Sequence, residues 1–309
     1  MKMNMNMKYS TKIEGIITPV ITPLTEKAGL DEGAYRKLID SCIDNGVSGI
    51  FSMGSSGEAL RVPRETWRAS IRTAVEAGAG RIHVFCGAIA AGTYETIENI
   101  LEAEQMGAQY VVATAPFYLQ NSGQDEIIRH FYRICAATKI KVVAYNIPSM
   151  VHVNIMPETI REIATIDNIV AYKDSAADWE QFQRNLFLLE DCDMFVFNGA
   201  EELCGAALLF GADGCVPGLS SFFPKLFVDL YKAARAGQIK TVYALQRQIW
   251  HLRKSLFVGK HWMSSMKALA SMHGFGANIS AFPIETLTEA QTLEIQKILA
   301  QKDCGSSPQ

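Results

Sequence analysis

The sequence has no run of apolar residues that approaches the ~20 residues needed to cross a bilayer, so nothing in it predicts a membrane protein. The first residues, Met1 to Lys8, carry scattered lysines but no apolar core of the kind found in signal peptides. We interpret residues 1–12 as a disordered lead-in. No charge excess is present either, since a net charge of −3 gives no electrostatic reason to expect nucleic acid or an anionic membrane as partner.

Closely spaced cysteines and histidines are also missing. The seven cysteines and six histidines lie at irregular intervals, with no Cys-x-x-Cys and no tight Cys/His cluster. This pattern argues against a zinc site and against a disulfide framework. We therefore expect no metal, reduced thiols and a cytoplasmic location.

What is present is a regular alternation of short apolar segments and helical ones. With 49% hydrophobic and 20% charged residues, the composition suits a globular protein with a sizeable core. The apolar segments predict strands at 13–23, 47–53, 82–88, 110–115, 141–145, 169–172, 194–197 and 213–216. Eight β-then-α units without hairpins predict the α/β class and a (β/α)8 TIM barrel over residues 13–236. The alternative is a doubly wound sheet, but no Gly-x-Gly-x-x-Gly turn follows the first strand.

Beyond Gly237 the pattern changes to helix only. Apolar residues recur at heptad-like spacing through Val242, Ile249 and Leu256, and two more helical stretches lie near 261–273 and 286–300. We predict a C-terminal helical appendage over residues 237–302 and a loose tail at 303–309.

One strand ends in an unusual residue. The apolar segment 169–172 is followed by Lys173, after which Ser175 is predicted to open a helix. An ammonium group that is taken out of water without a partner costs roughly several kcal/mol. Desolvation favours the neutral amine, which attacks carbonyl carbons to give a Schiff base. On this segment alone, a salt-bridged structural lysine is slightly the better interpretation.

In (β/α)8 barrels the chemistry lies at the carboxyl ends of the strands. The other predicted strand ends contribute Ser55, Ser56, Tyr118, Tyr145 and Glu201. Gly54 and Gly57 flank the two serines, so the backbone N–H groups of this loop can approach a ligand closely and bind a carboxylate. Taken singly, such a loop is an ordinary tight turn and such a tyrosine a half-buried core ring. Their combination predicts an active site.

Three motifs, in this order, carry a family resemblance: Gly54-Ser-Ser-Gly-Glu58, Tyr145-Asn-Ile-Pro148 and Lys173. The chain resembles the pyruvate-dependent class I aldolase family that includes dihydrodipicolinate synthase and N-acetylneuraminate lyase. The segment Gly211-Ala-Asp-Gly214 also fits the family's eighth strand. The resemblance implies a (β/α)8 barrel with a C-terminal helical region, commonly a homotetramer, that uses neither a metal nor an organic cofactor.

The resemblance also implies roles. Lys173 is expected to form the imine with pyruvate or another 2-keto acid, and Tyr145 to shuttle protons. Ser55 would link Tyr145 to Tyr118, which in the family often reaches into a neighbouring subunit's site. Ser56 and the loop N–H groups would bind the pyruvyl carboxylate. The expected substrate-binding set is Ser56, Gly54, Gly57, Ser175, Glu201, Glu202, Gly218 and Met150.

Two departures affect the expected substrate. Dihydrodipicolinate synthases have an arginine two residues after the proline of Tyr-Asn-x-Pro, which grips the carboxylate of aspartate semialdehyde; here Met150 stands in its place. Sialic acid lyases have an acidic pair and a serine that contact sugar hydroxyls. This chain keeps Glu201 and Glu202 but has Gly218 where that serine would be.

We therefore expect an aldolase or lyase that cleaves a 2-keto-3-deoxy sugar acid, or a related 2-keto acid, to pyruvate and a neutral or polyhydroxylated aldehyde. The alternatives are dihydrodipicolinate synthase, against which Met150 counts, and a 2-keto acid dehydratase that uses the same imine. From a different class, a catalytically idle barrel that serves as a binding module is disfavoured, because it would not need a buried lysine.

Overall fold

A closed barrel of eight parallel strands forms the centre of the computed structural model, which describes residues 12–303. The strands pair in chain order, and β1 closes the barrel against β8. They are β1 (Gly15–Pro19), β2 (Gly49–Ser52), β3 (His83–Gly87), β4 (Tyr110–Thr114), β5 (Lys141–Asn146), β6 (Ile169–Asp174), β7 (Phe195–Asn198) and β8 (Gly214–Cys215). The predicted (β/α)8 fold is confirmed, and the doubly wound alternative is wrong. The predicted lead-in, apart from Lys12, and the tail beyond 303 lie outside the described residues.

The strands form where the sequence is apolar and β-branched because a parallel strand is covered on both faces. Inside the barrel, buried aromatic side chains such as Phe51, Phe85 and Phe197 pack in layers with small aliphatic ones. The rings of Phe85 and Tyr110 stack with their centroids 4.7 Å apart. This solid interior leaves the carboxyl ends of the strands as the place for a site.

Helices cover the outside of the barrel and begin where the sequence supplies a start signal. Asp31 accepts a hydrogen bond from the N–H of Ala34 at 3.0 Å, and prolines open three further helices. The helices are α1 (Glu32–Asp44), α2 (Arg64–Gly78), α3 (Thr93–Gln105), α4 (Gln124–Ala136), α5 (Pro148–Val151), α6 (Pro157–Ile163), α7 (Trp179–Leu189), α8 (Cys204–Leu209), α9 (Pro224–Arg235), α10 (Ile239–Leu256), α11 (Trp262–Met272) and α12 (Glu289–Asp303). None of those described is both long and apolar enough to cross a membrane.

One helix start was predicted wrongly. Ser175 does not open α7, which begins at Trp179. Ala177 has a φ of +58°, a left-handed conformation that cannot continue a helix, and Asp178 then caps α7 by accepting a hydrogen bond from the N–H of Gln181. The residues between β6 and α7 are therefore a loop, which leaves Ser175 at the mouth of the barrel.

The C-terminal helices pack on the barrel, as the change in periodicity predicted. Helix α10 contacts α9 and the 3-10 turn Glu201–Leu203 that follows β7. Helix α11 is buried on every side from Met263 to Ala270, which explains why its sequence lacks a polar face. Both helices thus contribute residues to the end of the barrel where the strands terminate.

Candidate active site

A cavity of about 410 Å³ opens at the carboxyl ends of the strands. The predicted residues that line it are Ser55, Ser56, Tyr145, Met150, Lys173, Ser175, Glu201, Glu202 and Gly218. A second cavity of about 400 Å³ shares Ser55 and Met150 with it and is also lined by Gly54, Phe117 and His261. The predicted residues that line these two cavities therefore lie in one contiguous site.

Lys173 lies at the base of the first cavity and is 6% exposed. It is opposite Tyr145 in the register of β5 and β6, and its Nζ is 3.9 Å from the centroid of the Tyr145 ring and 5.0 Å from that of Phe51. Among residues 12–303, no carboxylate forms an ion pair with Lys173. The salt-bridged structural lysine is thus the wrong interpretation. The amine is held by aromatic faces and points at the cavity.

Gly199, which sequence reasoning missed, makes room for this amine. A Cβ at position 199 would lie 3.0 Å from Cε of Lys173 and 2.0 Å from Oγ of Ser175. Any larger residue would push both side chains out of place. The end of β7 is therefore shaped around the lysine of β6.

A buried polar network fixes the strands just beyond Lys173 and Tyr145. Asn146 donates a hydrogen bond from Nδ2 to Oδ1 of Asp174 at 3.2 Å, and the N–H of Ala176 donates to the same oxygen at 2.8 Å. Asn185 donates to Oδ2 at 3.1 Å. Burial raises the pKa of Asp174, which these hydrogen bonds partly offset. The residues that follow the lysine and the tyrosine are thus tied to each other.

The serine loop between β2 and α2 needs both of its glycines. A Cβ on Gly54 would lie 2.6 Å from the ring of Phe51, and one on Gly57 would lie 3.0 Å from the backbone of Met53. The carbonyl of Gly57 accepts a hydrogen bond from Oγ1 of Thr22 at 2.7 Å. The N–H groups of Gly57 and Glu58 donate to carbonyls within the loop, so those of Ser55 and Ser56 are the ones that can face a small anion.

A fully buried ion pair anchors the end of this loop. Oε2 of Glu58 lies 2.6 Å from Nζ of Lys267 in α11, and Oε1 accepts a hydrogen bond from the N–H of Ala281 at 2.8 Å. Lys267 also donates to the carbonyl of Thr22, and its burial lowers its pKa. Glu58 itself has a left-handed φ of +56°. The sequence signal was a lysine as the sole charged residue in the helix Trp262–Met272.

The resemblance to sialic acid lyases suggested that the acidic pair after β7 would be free to contact sugar hydroxyls. In the structure, both carboxylates already have partners. Glu201 is buried, and burial raises its pKa. Its Oε1 accepts a hydrogen bond from the N–H of Leu219 at 2.6 Å, and its Oε2 lies 3.1 Å from Nη1 of Arg253. Glu202 accepts a hydrogen bond from Nε of the same arginine. A Cβ on Gly218 would lie 3.4 Å from Glu201. Arg253 was missed because it comes from α10.

Two of the predicted residues lie towards solvent. Met150, on α5, is 49% exposed and lines both cavities. Tyr118 is 92% exposed, has a φ of +77°, and lines neither cavity. A single chain therefore does not bring Tyr118 to Ser55, and their link stays a prediction that needs a second copy of the chain. Within residues 12–303, no three His, Cys, Asp or Glu side chains are grouped in a way that could hold a metal ion.

Comparison with known families identifies the family and the fold. Residues 12–302 match the model of the dihydrodipicolinate synthetase family. The chain belongs to that family. Members similar to it include the 4-hydroxy-tetrahydrodipicolinate synthases of Thermosipho africanus, 30% identical over 94% of this chain and 99% of the relative, and of Thermotoga neapolitana, 30% identical over 92% and 96%.

Solved structures of the dihydrodipicolinate synthetase family superpose on this chain. The dihydrodipicolinate synthase of Bacteroides thetaiotaomicron superposes with a TM-score of 0.89 at 28% identity, covering 93% of this chain and 98% of the other. A prophage protein of the family from E. coli, solved in complex with pyruvate, also gives a TM-score of 0.89, at 25% identity and with 94% and 99% covered. The chain thus shares the fold of this family over nearly its whole length.

The buried pair Glu58–Lys267 generates a stability prediction. Lys267→Met leaves the Glu58 carboxylate buried without its cation, so we expect the free energy of unfolding to fall by about 3–5 kcal/mol, measured by denaturant titration. Lys260→Met is the control because Lys260 is 95% exposed. In the double variant Glu58→Gln/Lys267→Met, the free energy of unfolding should fall by less than the sum of the falls in Glu58→Gln and Lys267→Met measured separately. Equal, small losses for Lys267→Met and Lys260→Met would contradict the anchoring role.

Proposed function

We propose that this chain is a pyruvate-dependent enzyme that forms and breaks a carbon–carbon bond through a Schiff base on Lys173. The observation that carries the proposal is a buried lysine without a carboxylate partner, 3.9 Å from the Tyr145 ring, at the base of a cavity beside the serine loop. The unprotonated form of a lysine amine is the one that attacks a keto carbon. The family to which the chain belongs consists of enzymes of this class.

The proposed reaction begins when Nζ of Lys173 adds to the keto carbon of pyruvate and water leaves, which gives a protonated imine. The imine accepts electrons, so a proton can leave C3 and the resulting enamine carbon attacks the carbonyl carbon of an aldehyde. Tyr145 carries protons between these steps, while Ser56 and the loop N–H groups bind the pyruvyl carboxylate. Hydrolysis of the new imine then frees Lys173. The reverse sequence cleaves the same bond.

Among specific reactions, the comparisons favour 4-hydroxy-tetrahydrodipicolinate synthase, because the similar relatives carry that name. Our leading expectation from the sequence, cleavage of a 2-keto-3-deoxy sugar acid, is not confirmed. We therefore propose the synthase reaction, in which pyruvate condenses with aspartate semialdehyde. The sugar-acid reaction remains the second candidate because Met150 stands where synthases have an arginine and lines both cavities. A dehydratase outcome and a homotetrameric assembly stay predictions.

Trapping identifies the nucleophile. Borohydride reduction in the presence of pyruvate should leave a covalent adduct that peptide mapping places on Lys173. Lys173→Met should abolish the adduct, whereas Lys225→Met, whose side chain is 74% exposed on α9, should keep it. An adduct on another lysine, or none, would refute the proposed chemistry.

The role of Tyr145 is tested by removing its hydroxyl. Tyr145→Phe should lower kcat by about 10²- to 10⁴-fold, because a positioned acid–base group is worth about that much, while pyruvate trapping on Lys173 persists. Tyr132→Phe is the matched control, since Tyr132 is 46% exposed on α4. If Tyr145→Phe turned over at the normal rate, proton transfer would have to be assigned to another group.

The two candidate reactions are separated by a side-by-side assay. We expect kcat/KM for pyruvate plus aspartate semialdehyde to exceed that for pyruvate release from any member of a panel of 2-keto-3-deoxy sugar acids. Both candidate reactions use the same pyruvate imine, so pyruvate trapping does not distinguish them. The rates differ only through the part of the site that binds the aldehyde. Faster pyruvate release from a sugar acid would favour the second candidate.

A further inference from the structure

We propose that Arg253 binds the carboxylate of the aldehyde substrate and so replaces the arginine that Met150 lacks. The inference rests on the proposed function and names the part of the cavity that recognises the second substrate. Nothing in the Tyr145–Pro148 motif or the serine loop supplies this group. It comes from α10, on the side of the cavity formed by the C-terminal helices.

The charges of the cavity lead to this assignment. Of the described residues that line the 410 Å³ cavity, the cationic ones are Lys173 and Arg253. Lys173 is used by the imine, whose own positive charge faces the pyruvyl carboxylate. Within this cavity, a second carboxylate carried by the aldehyde therefore has Arg253 as its remaining cationic partner, while Arg61 lines the adjoining cavity of about 400 Å³. The neighbouring lining residues Met150, Trp262 and Met266 offer no charge.

The guanidinium of Arg253 is already oriented. Nη1 lies 3.1 Å from Oε2 of Glu201, and Nε donates to Glu202. Glu201 is held in turn by the N–H of Leu219, and the Phe257 ring lies 5.3 Å from the guanidinium carbon. A guanidinium carries five N–H donors, and the two glutamates engage Nη1 and Nε. Nη2 makes no hydrogen bond to any of residues 12–303, so its N–H groups remain for a carboxylate.

Glu202 sets the strength of this subsite. Its side chain is 36% exposed, whereas that of Glu201 is 4% exposed. Glu201 is therefore the fixed partner that positions Arg253, and Glu202 is the adjustable one that can turn towards solvent. Because Glu202 and a substrate carboxylate compete for the same cation, removal of the Glu202 charge should strengthen substrate binding. A purely structural ion pair would give the opposite sign.

The experiment measures KM for aspartate semialdehyde, KM for pyruvate and pyruvate trapping on Lys173. For Arg253→Met we expect KM for aspartate semialdehyde to rise about 10- to 100-fold, the loss of a charge-assisted pair, with both pyruvate measurements unchanged. Glu202→Gln should lower that KM. Arg247→Met is the control because Arg247 is exposed on the same helix. Arg253→Lys, which keeps the charge without the fork, should fall between wild type and Arg253→Met.

A cation moved to the other wall provides a stricter test. Met150→Arg in the Arg253→Met background should restore KM for aspartate semialdehyde towards wild type. The proposal is overturned if Arg253→Met leaves that KM unchanged, if it impairs pyruvate trapping as strongly as turnover, or if wild type traps pyruvate but does not use aspartate semialdehyde. Absence of trapping in wild type would instead overturn the proposed function, and this subsite with it.

Discussion

The ion pair between Glu58 and Lys267 is the contact on which the site depends. Two charges out of water are tolerable only when they face each other and their remaining hydrogen-bonding groups are satisfied. Here Lys267 also donates to the carbonyl of Thr22, and Glu58 also accepts a hydrogen bond from the N–H of Ala281. The pair therefore joins the segment after β1, the serine loop and α11 at one buried point. The C-terminal helices are thereby part of the serine loop's support.

The residues of the site come from two parts of the chain, the barrel strands and the C-terminal helices. The strands supply the residues that we propose for the pyruvate chemistry, since Lys173 and Tyr145 sit side by side in the register of β5 and β6 and the Asn146–Asp174 hydrogen bond holds the strand ends together. The helices beyond the barrel supply Arg253 and the wall around Trp262. A rigid sheet suits a covalent intermediate that tolerates little misplacement. Helices packed on its rim can differ in side chains without disturbing that sheet.

The sequence was sufficient for the fold and for the strand-end residues that line the cavity, though not for the position of Tyr118, because both follow from local patterns. An apolar run that ends in a lysine places Lys173 without knowledge of distant residues. Arg253 and Lys267 could not be found this way, since their positions depend on how α10 and α11 pack against loops far away in the chain. Glu201 was predicted as a cavity residue, but its orientation is decided by the N–H of Leu219 and by Arg253. Ser175 was assigned to a helix because the left-handed φ of Ala177 leaves no clear signal in the sequence.

Because different parts of the chain line the cavity, one position cannot decide the substrate. Met150 removes a cation from the wall formed by α5, and from the sequence alone that substitution counts against an aldehyde with a carboxylate. The cavity, however, is also lined by Arg253 of α10, and on our proposal its guanidinium binds the same carboxylate without any change in the strands. Arg253 pairs with the buried Glu201 and with the partly exposed Glu202, so we infer that a substrate carboxylate can compete with Glu202 for its charge. Specificity in such a site is a property of the whole rim, and the pair Met150 and Arg253 has to be considered together.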